Sequence, residues 1–328
     1  MTIHRLLIRA PNWVGDAVLS LGAVRDLRRN FPAARIEVLA RPWVAGLYGA
    51  VPEVDGVQVS LGFRSNVKAM RGAAEAVVLL PNSFRSALQA YLAGVPGRWG
   101  YPTDGRGLLL TRRPRVPKEV KGVSQVYYYR AMLAGLGLEV SASPDVSIRC
   151  PDAWAAHGAR MLVDSGPWIG LNPGAAYGTA KRWLPARYAA VGDLLSRRLG
   201  AKIAILGGGD ERALGLAIAG ALRWPARVLC GDTSLPELVG VLSQLSLVVT
   251  NDSGPMHLAA ALGVPLVAIF GPTDWVETAP LGVRQRLVRE PVDCAPCLLR
   301  ECPIDHRCMT RVTADRVADE AQALLADA

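Results

Sequence analysis

Seven short runs rich in Val, Ile and Leu recur along the chain, each followed by a Gly- or Pro-bearing loop and then, mostly, by a segment of helical period. That alternation is the signature of βα units wound into a parallel sheet. It predicts strands at 5–10, 35–40 and 76–80 in the first half, with helices near 16–29, 84–93 and 123–137. In the second half it predicts strands at 168–174, 202–208, 247–251 and 265–271, with helices near 186–199, 211–222, 235–244 and 255–262. Each half then forms its own Rossmann-like α/β domain. In open parallel sheets, ligands bind outside the carboxyl ends of the strands, so chemistry is expected in the strand-to-helix loops.

With 328 residues the chain is long for one core, and two domains of about 150 residues are the natural division. Pro144, Pro151 and Pro167 interrupt the pattern where the halves should join. The expected domains are 1–155, 156–310 and a terminal segment, 311–328, whose Val317, Ala321 and Leu324 lie at helical spacing and need another surface to pack on. No apolar stretch reaches the roughly 18 residues a membrane span requires, and MTIHRLLIRAPNWVGD lacks the regions of a signal peptide, so a cytoplasmic location is expected. The net charge of +9 is uneven: residues 1–150 carry 20 Lys and Arg against 10 Asp and Glu, and residues 151–328 carry 17 against 18. The first half therefore attracts something anionic, whether nucleic acid, an acidic lipid surface or a phosphorylated substrate, unless the charge is only a solvated face.

The most informative loop is TNDSGPMHLAAALGVPLVAIFGPTD. A strand ends, Asn251, Asp252, Ser253 and Gly254 turn the chain, and a helix opens at Pro255. Either Asp252 or Ser253 is a simple N-cap, or the free N–H groups and positive helix end hold a phosphate, with Gly254 allowing its approach and His257 pointing back from the first turn. A second loop, NPGAAYGTAKRW, presents Lys181 and Arg182 after a Gly-rich turn, as a point charge and a forked donor suited to a diphosphate. It lacks the Walker ending. The third, GGGDER, lacks dinucleotide spacing; its Glu211 either holds ribose hydroxyls or starts a helix. In the first half, APNWVGD brings Asp16 to the end of the first run, as a helix cap or as a base.

Cys294, Cys297, Cys302 and Cys308 form C-x2-C-x4-C-x5-C, with His306 beside them. The spacing is too compact for a common zinc ribbon, which leaves a structural metal, packed free thiols or redox-labile pairs all open, and scaffold before catalyst in each case.

Taken together, NWVGDAVLS, NPGAAYGTAKRW, TNDSGPMHLAAALGVPLVAIFGPTD and CAPCLLRECPIDHRCM resemble, in order, the signature segments of glycosyltransferase family 9, within it the branch that adds the second heptose of the lipopolysaccharide inner core. NSFRSALQAYLAGVPGRWGY resembles the acceptor-side region of that branch. The resemblance implies a GT-B fold with two Rossmann-like domains facing across a cleft. It implies inverting, metal-independent transfer of L-glycero-D-manno-heptose from ADP-heptose to heptosyl-Kdo2-lipid A in Gram-negative outer-membrane biogenesis. Asp16 would be the catalytic base. Lys181, Arg182, Glu211, Asp252, Ser253, Gly254 and His257 would bind the donor, and Asn12, Trp13, Arg64, Arg85 and Arg106 the acceptor. The terminal helix would cross back toward the first domain. No cofactor is implied, and the partners would be ADP-heptose, the lipid A–Kdo acceptor and the anionic inner face of the cytoplasmic membrane, approached peripherally, with no nucleic acid. The alternatives are the branch that adds the first heptose directly to Kdo2-lipid A, an NAD-dependent oxidoreductase, which the absent dinucleotide spacing disfavours, and a nucleic-acid-binding metal module, whose cysteines lie in the half without the basic excess.

Overall fold

The computed structural model describes residues 3–282 and 284–327. Two units divide the chain, the first running to Val146 and the second starting at Ser147. The first contains β1 (Arg5–Arg9), α1 (Val14–Leu19), α2 (Leu21–Asn30), β2 (Arg35–Ala40), α3 (Pro42–Ala45), β3 (Gly56–Val59), α4 (Phe63–Met70), β4 (Ala76–Leu79), α5 (Phe84–Leu92), β5 (Gly97–Trp99) and α6 (Gln125–Gly135). The second contains α7 (Asp152–Leu162), β6 (Trp168–Asn172), α8 (Pro185–Leu199), β7 (Lys202–Ile205), α9 (Arg212–Ala221), β8 (Ala226–Val228), α10 (Leu235–Leu242), β9 (Leu247–Asn251), α11 (Gly254–Ala261), β10 (Leu266–Phe270), α12 (Trp275–Thr278), β11 (Gln285–Arg289), α13 (Arg307–Thr310) and α14 (Ala314–Ala326).

The strands pair in parallel, in the order β3-β2-β1-β4-β5 in the first unit and β11-β10-β9-β6-β7-β8 in the second. Central strands β4, β6, β9 and β10 are buried along their whole length, as a sheet covered on both faces demands. Strand order reverses between β1 and β4 in one sheet and between β6 and β9 in the other, so the loops leaving those strands open at the two switch points.

The structure departs from the sequence expectations in three places. Strands β3, β5, β8 and β11 had no apolar run to announce them: all four lie at sheet edges, and β3 alternates half-buried with exposed positions. The first helix begins at Val14 and breaks at Ser20, whose hydroxyl donates to Ala17 O at 2.7 Å. The boundary falls before the expected residue 155, because α7 packs on α10 of the second unit. A Cβ on Gly158 would come within 2.2 Å of the Gly240 backbone, so only glycine permits this approach. Helix α14 buries Val317, Ala318, Ala321 and Leu324 in the core of the second unit, against α8 and the sheet. Its apolar face is thereby packed within the second unit.

Candidate active site

Switch-point loops of the second unit are tied together by one side chain. Asn251, the last residue of β9, is fully buried. Its Oδ1 accepts from Trp183 N (3.0 Å) and lies 2.9 Å from Tyr188 OH, while its Nδ2 donates to Pro173 O (2.7 Å) and Gly174 O (3.2 Å). A carboxamide with every position filled fixes the path of both loops, since a buried amide group left unpaired is costly. Asn172, at the end of β6, adds bonds from Nδ2 to Thr250 Oγ1 (3.1 Å) and Ser253 Oγ (3.0 Å). Ser253 is the residue before α11 but makes no side-chain cap; its hydroxyl is engaged by Asn172 and Thr250 instead. The first turn of α11 thus keeps its free N–H groups for another acceptor.

Beside that helix start, Lys181 Nζ donates to Asp252 Oδ2 at 2.8 Å, with both side chains largely buried. Thr278 Oγ1, at the end of α12, lies 3.3 Å from the same carboxylate oxygen and 2.9 Å from Asp274 O, which joins that helix to the site. His257 is buried, and its Nδ1 has no hydrogen-bond partner. Burial pushes its pKa down to about 4, opposed by Asp252 and assisted by Lys181, so the ring is neutral at pH 7. Arg182 donates weakly to Ala175 O (3.4 Å), and its Nε is buried without a partner. Glu211 reaches across from the third loop. It accepts from Gly208 N at 2.9 Å and lies so close to Gly174 that a Cβ there would sit 1.8 Å from its Oε1. Its charge adds to the upward shift that burial imposes on Tyr188 and Cys230.

The loop carrying Lys181 rests on the cysteine-rich segment, a support no sequence pattern indicated. Ala180 N donates to Arg300 O (2.9 Å), Gly178 packs on the Arg300 backbone, His306 Nε2 lies 2.7 Å from Ala180 O, and Tyr177 OH donates to Leu298 O (3.3 Å). Lys181 Nζ and Arg300 Cζ both stand over the Tyr177 ring, at 5.3 and 5.0 Å. All four clustered cysteines carry free thiols, and among the described residues no group of three or more His, Cys, Asp and Glu is arranged to hold a metal ion.

In the first unit, Asp16 stands in the first turn of α1, beyond the carboxyl end of β1. Trp13, not Asp16, occupies the cap position, with no side-chain cap bond. Buried Tyr129 lies near Asp16, and its hydroxyl is pushed well up by burial first and by that carboxylate second. Asn12 is held from both sides: Arg9 Nη2 donates to its Oδ1 (2.8 Å) and Trp43 Nε1 to its carbonyl (2.8 Å). Trp13 is exposed, as are Arg64 and Arg85, the latter over the Phe63 ring at 5.3 Å. Arg106 corrects the expectation of an acceptor contact. It is fully buried and donates to Tyr101 O (2.8 Å), Pro81 O and Ser86 Oγ (3.1 Å), so its guanidinium pins the loop after β4 from inside; burial lowers its pKa to about 10.

Comparison with known proteins follows this geometry. Residues 63–307 match the model of glycosyltransferase family 9 (heptosyltransferase). The chain is 30% identical to the lipopolysaccharide heptosyltransferase 2 of Escherichia coli K12, covering 98% of each, and 37% identical to a lipooligosaccharide heptosyltransferase 2 of Campylobacter jejuni, again covering 98% of each. The solved structure of the E. coli ADP-heptose lps heptosyltransferase II superposes with a TM-score of 0.86 at 30% identity, covering 98% of this chain and 99% of that one.

Proposed function

This chain belongs to glycosyltransferase family 9, and on that premise we propose that it transfers heptose from ADP-heptose to the first inner-core heptose of a lipopolysaccharide acceptor. The observation that carries the reading is the anion-ready pocket at the second switch point: an uncapped helix start, the Lys181–Asp252 pair and neutral His257 with an unpartnered Nδ1. In this reading Asp16 takes the proton of the acceptor hydroxyl as its oxygen attacks the anomeric carbon. The bond from that carbon to the diphosphate breaks on the opposite face, so configuration inverts and ADP leaves. Negative charge grows on the departing phosphate. Lys181, Arg182 and the N–H groups of α11 neutralise it from fixed positions, and preorganised donors of this kind replace a bound cation. Glu211 takes the ribose hydroxyls, and Asp252 and His257 orient the sugar.

On the acceptor side, exposed Trp13, Arg64 and Arg85 remain in the reading, with Asn12 acting as part of the frame that positions the α1 loop. Among the described residues no helix is long and apolar enough to cross a membrane. The basic excess of the first 150 residues suits a peripheral approach to an anionic lipid surface, where such an acceptor resides.

The test is ADP release from ADP-heptose with heptosyl-Kdo2-lipid A as acceptor. Kdo2-lipid A as the better acceptor would move the assignment to the first heptose transfer, and no release with either would overturn the proposal. Full turnover after exhaustive chelation is expected; loss of turnover restored by an added divalent ion would contradict the metal-free step.

A further inference from the structure

The cysteine-rich segment is left unused by the proposed transfer, although it carries the donor loop. Its thiols are not equivalent. Cys308 is buried, lies so close to Gly271 that a Cβ there would sit 3.1 Å from its Sγ, and is held as a thiol, burial and the three other cysteines pushing its pKa up to about 11. Cys302 is half-buried, whereas Cys294 and Cys297 are both exposed, with two residues between them. Immediately after Cys297, Leu298 N donates to Pro272 O (2.8 Å) and Leu298 O accepts from Tyr177 OH (3.3 Å). Two residues further, Arg300 supports Gly178 and Ala180 with its backbone. Lys181 is the next residue, with its ammonium over Tyr177. From Cys297 to Lys181 there is thus an unbroken run of direct contacts.

We propose that Cys294 and Cys297 form a thiol–disulfide exchange site whose oxidation shifts Leu298 and Arg300 and so loosens the seat of the donor loop. C-x2-C is a spacing that closes into a disulfide, and exposure admits the oxidant, a small-molecule disulfide. The thiolate of one cysteine attacks a sulfur of that molecule, breaking its S–S bond and expelling one thiolate. The second cysteine then attacks the mixed disulfide and expels the other. The protein gives up two electrons and two protons, one S–S bond forms in it, and the small disulfide is reduced to two thiols. A ring closed over 294–297 fixes the backbone just ahead of Leu298, and the consequence passes through Tyr177 and Arg300 to residues 174–182. The effect on ligand rests on the donor-site reading above; the effect on the loop does not.

The full-length protein is titrated with oxidised glutathione, and three quantities are read: the cysteine linkage by peptide mapping, hydrogen exchange over residues 174–182, and ADP affinity by calorimetry. Expected are a Cys294–Cys297 linkage, faster exchange in that segment, and ADP binding about tenfold weaker, all restored by a reducing thiol. Cys294→Ser and Cys297→Ser, both at exposed positions, should leave reduced-state behaviour unchanged and abolish the response. A linkage to Cys302 or Cys308, a linkage without faster exchange, or an equal response in the serine variants would overturn the proposal. Failure of the reduced protein to bind ADP would instead count against the donor-site reading, while the exchange measurement would still decide this one.

Discussion

Lys181 Nζ lies 2.8 Å from Asp252 Oδ2, a carboxylate two residues ahead of the α11 helix start, and both charges are largely withdrawn from water. A buried ion pair contributes little to stability over an apolar substitute, yet breaking one partner is costly because the other charge is stranded. Under the proposed transfer the pair is a preset, in which the diphosphate would meet an ammonium already oriented and partly desolvated.

Replacing Lys181 by Ala should therefore weaken ADP binding roughly 10- to 100-fold, the worth of one charge-assisted contact. It should also destabilise the fold, by stranding Asp252, at about 3 kcal/mol. The double variant Lys181→Met, Asp252→Asn separates the effects. Chemical denaturation should show stability regained, while calorimetry should show that affinity is not. Unchanged ADP affinity in Lys181→Ala would remove it from the donor site.

Asp16→Asn keeps the size of the side chain in the first turn of α1 and removes the basic oxygen. Turnover should fall by about 10² to 10⁴ with ADP affinity nearly unchanged. Near-normal turnover would leave Asp16 a residue of the first helical turn and no more.

The two α/β sheets could be read from the chain because apolar runs, loops and helical periods agree along most of it, and the turn from β9 into α11 could be placed because Gly, Pro and a helix start adjoin there. What escaped the reading was set at long range. Asn251 is a polar residue closing an apolar strand, and its partners Pro173, Gly174, Trp183 and Tyr188 are far away in sequence. Arg106 looks like any surface arginine until Tyr101, Pro81 and Ser86 enclose it. The seat of Gly178 and Ala180 on Arg300 involves backbone atoms alone, which side-chain patterns do not register. Edge strands such as β8 bury too little to require an apolar run.

Because Asn251 fills all its hydrogen-bonding positions, Asn251→Ala should cost about 3 kcal/mol in denaturant unfolding, leaving two carbonyls and a backbone N–H without partners. Asn251→Asp should be no rescue. It retains the acceptor toward Trp183 N but sets an anion against the Pro173 and Gly174 carbonyls. A variant of wild-type stability would show that the loops hold their course without this clamp.

Contact between Gly174 and Glu211 offers a test by double substitution. Ala at 174 would place a Cβ 1.8 Å from Glu211 Oε1 and so must displace the carboxylate. Gly174→Ala and Glu211→Ala should each weaken ADP binding, and the pair together should weaken it no more than either alone, because both remove the same interaction. Additive losses in calorimetry would mean that Gly174 and Glu211 act on the ligand separately.

His257 gives the site a pH dependence whose sign is fixed by burial. Its folded pKa is lowered to about 4 from an ordinary value of 6.5, so the unfolded chain binds the proton more readily. Stability contributed by the neutral ring is complete above pH 6.5 and is lost as pH falls toward 4, by about 3 kcal/mol over that window. The charged groups facing it, Asp252 and Lys181, oppose one another, which leaves burial in control. Denaturation of the wild type should therefore weaken between pH 6.5 and 4 more steeply than that of His257→Gln, which keeps polar capacity without titrating. Parallel stability profiles for the two proteins would show that the imidazole takes up its proton in the folded state at no cost.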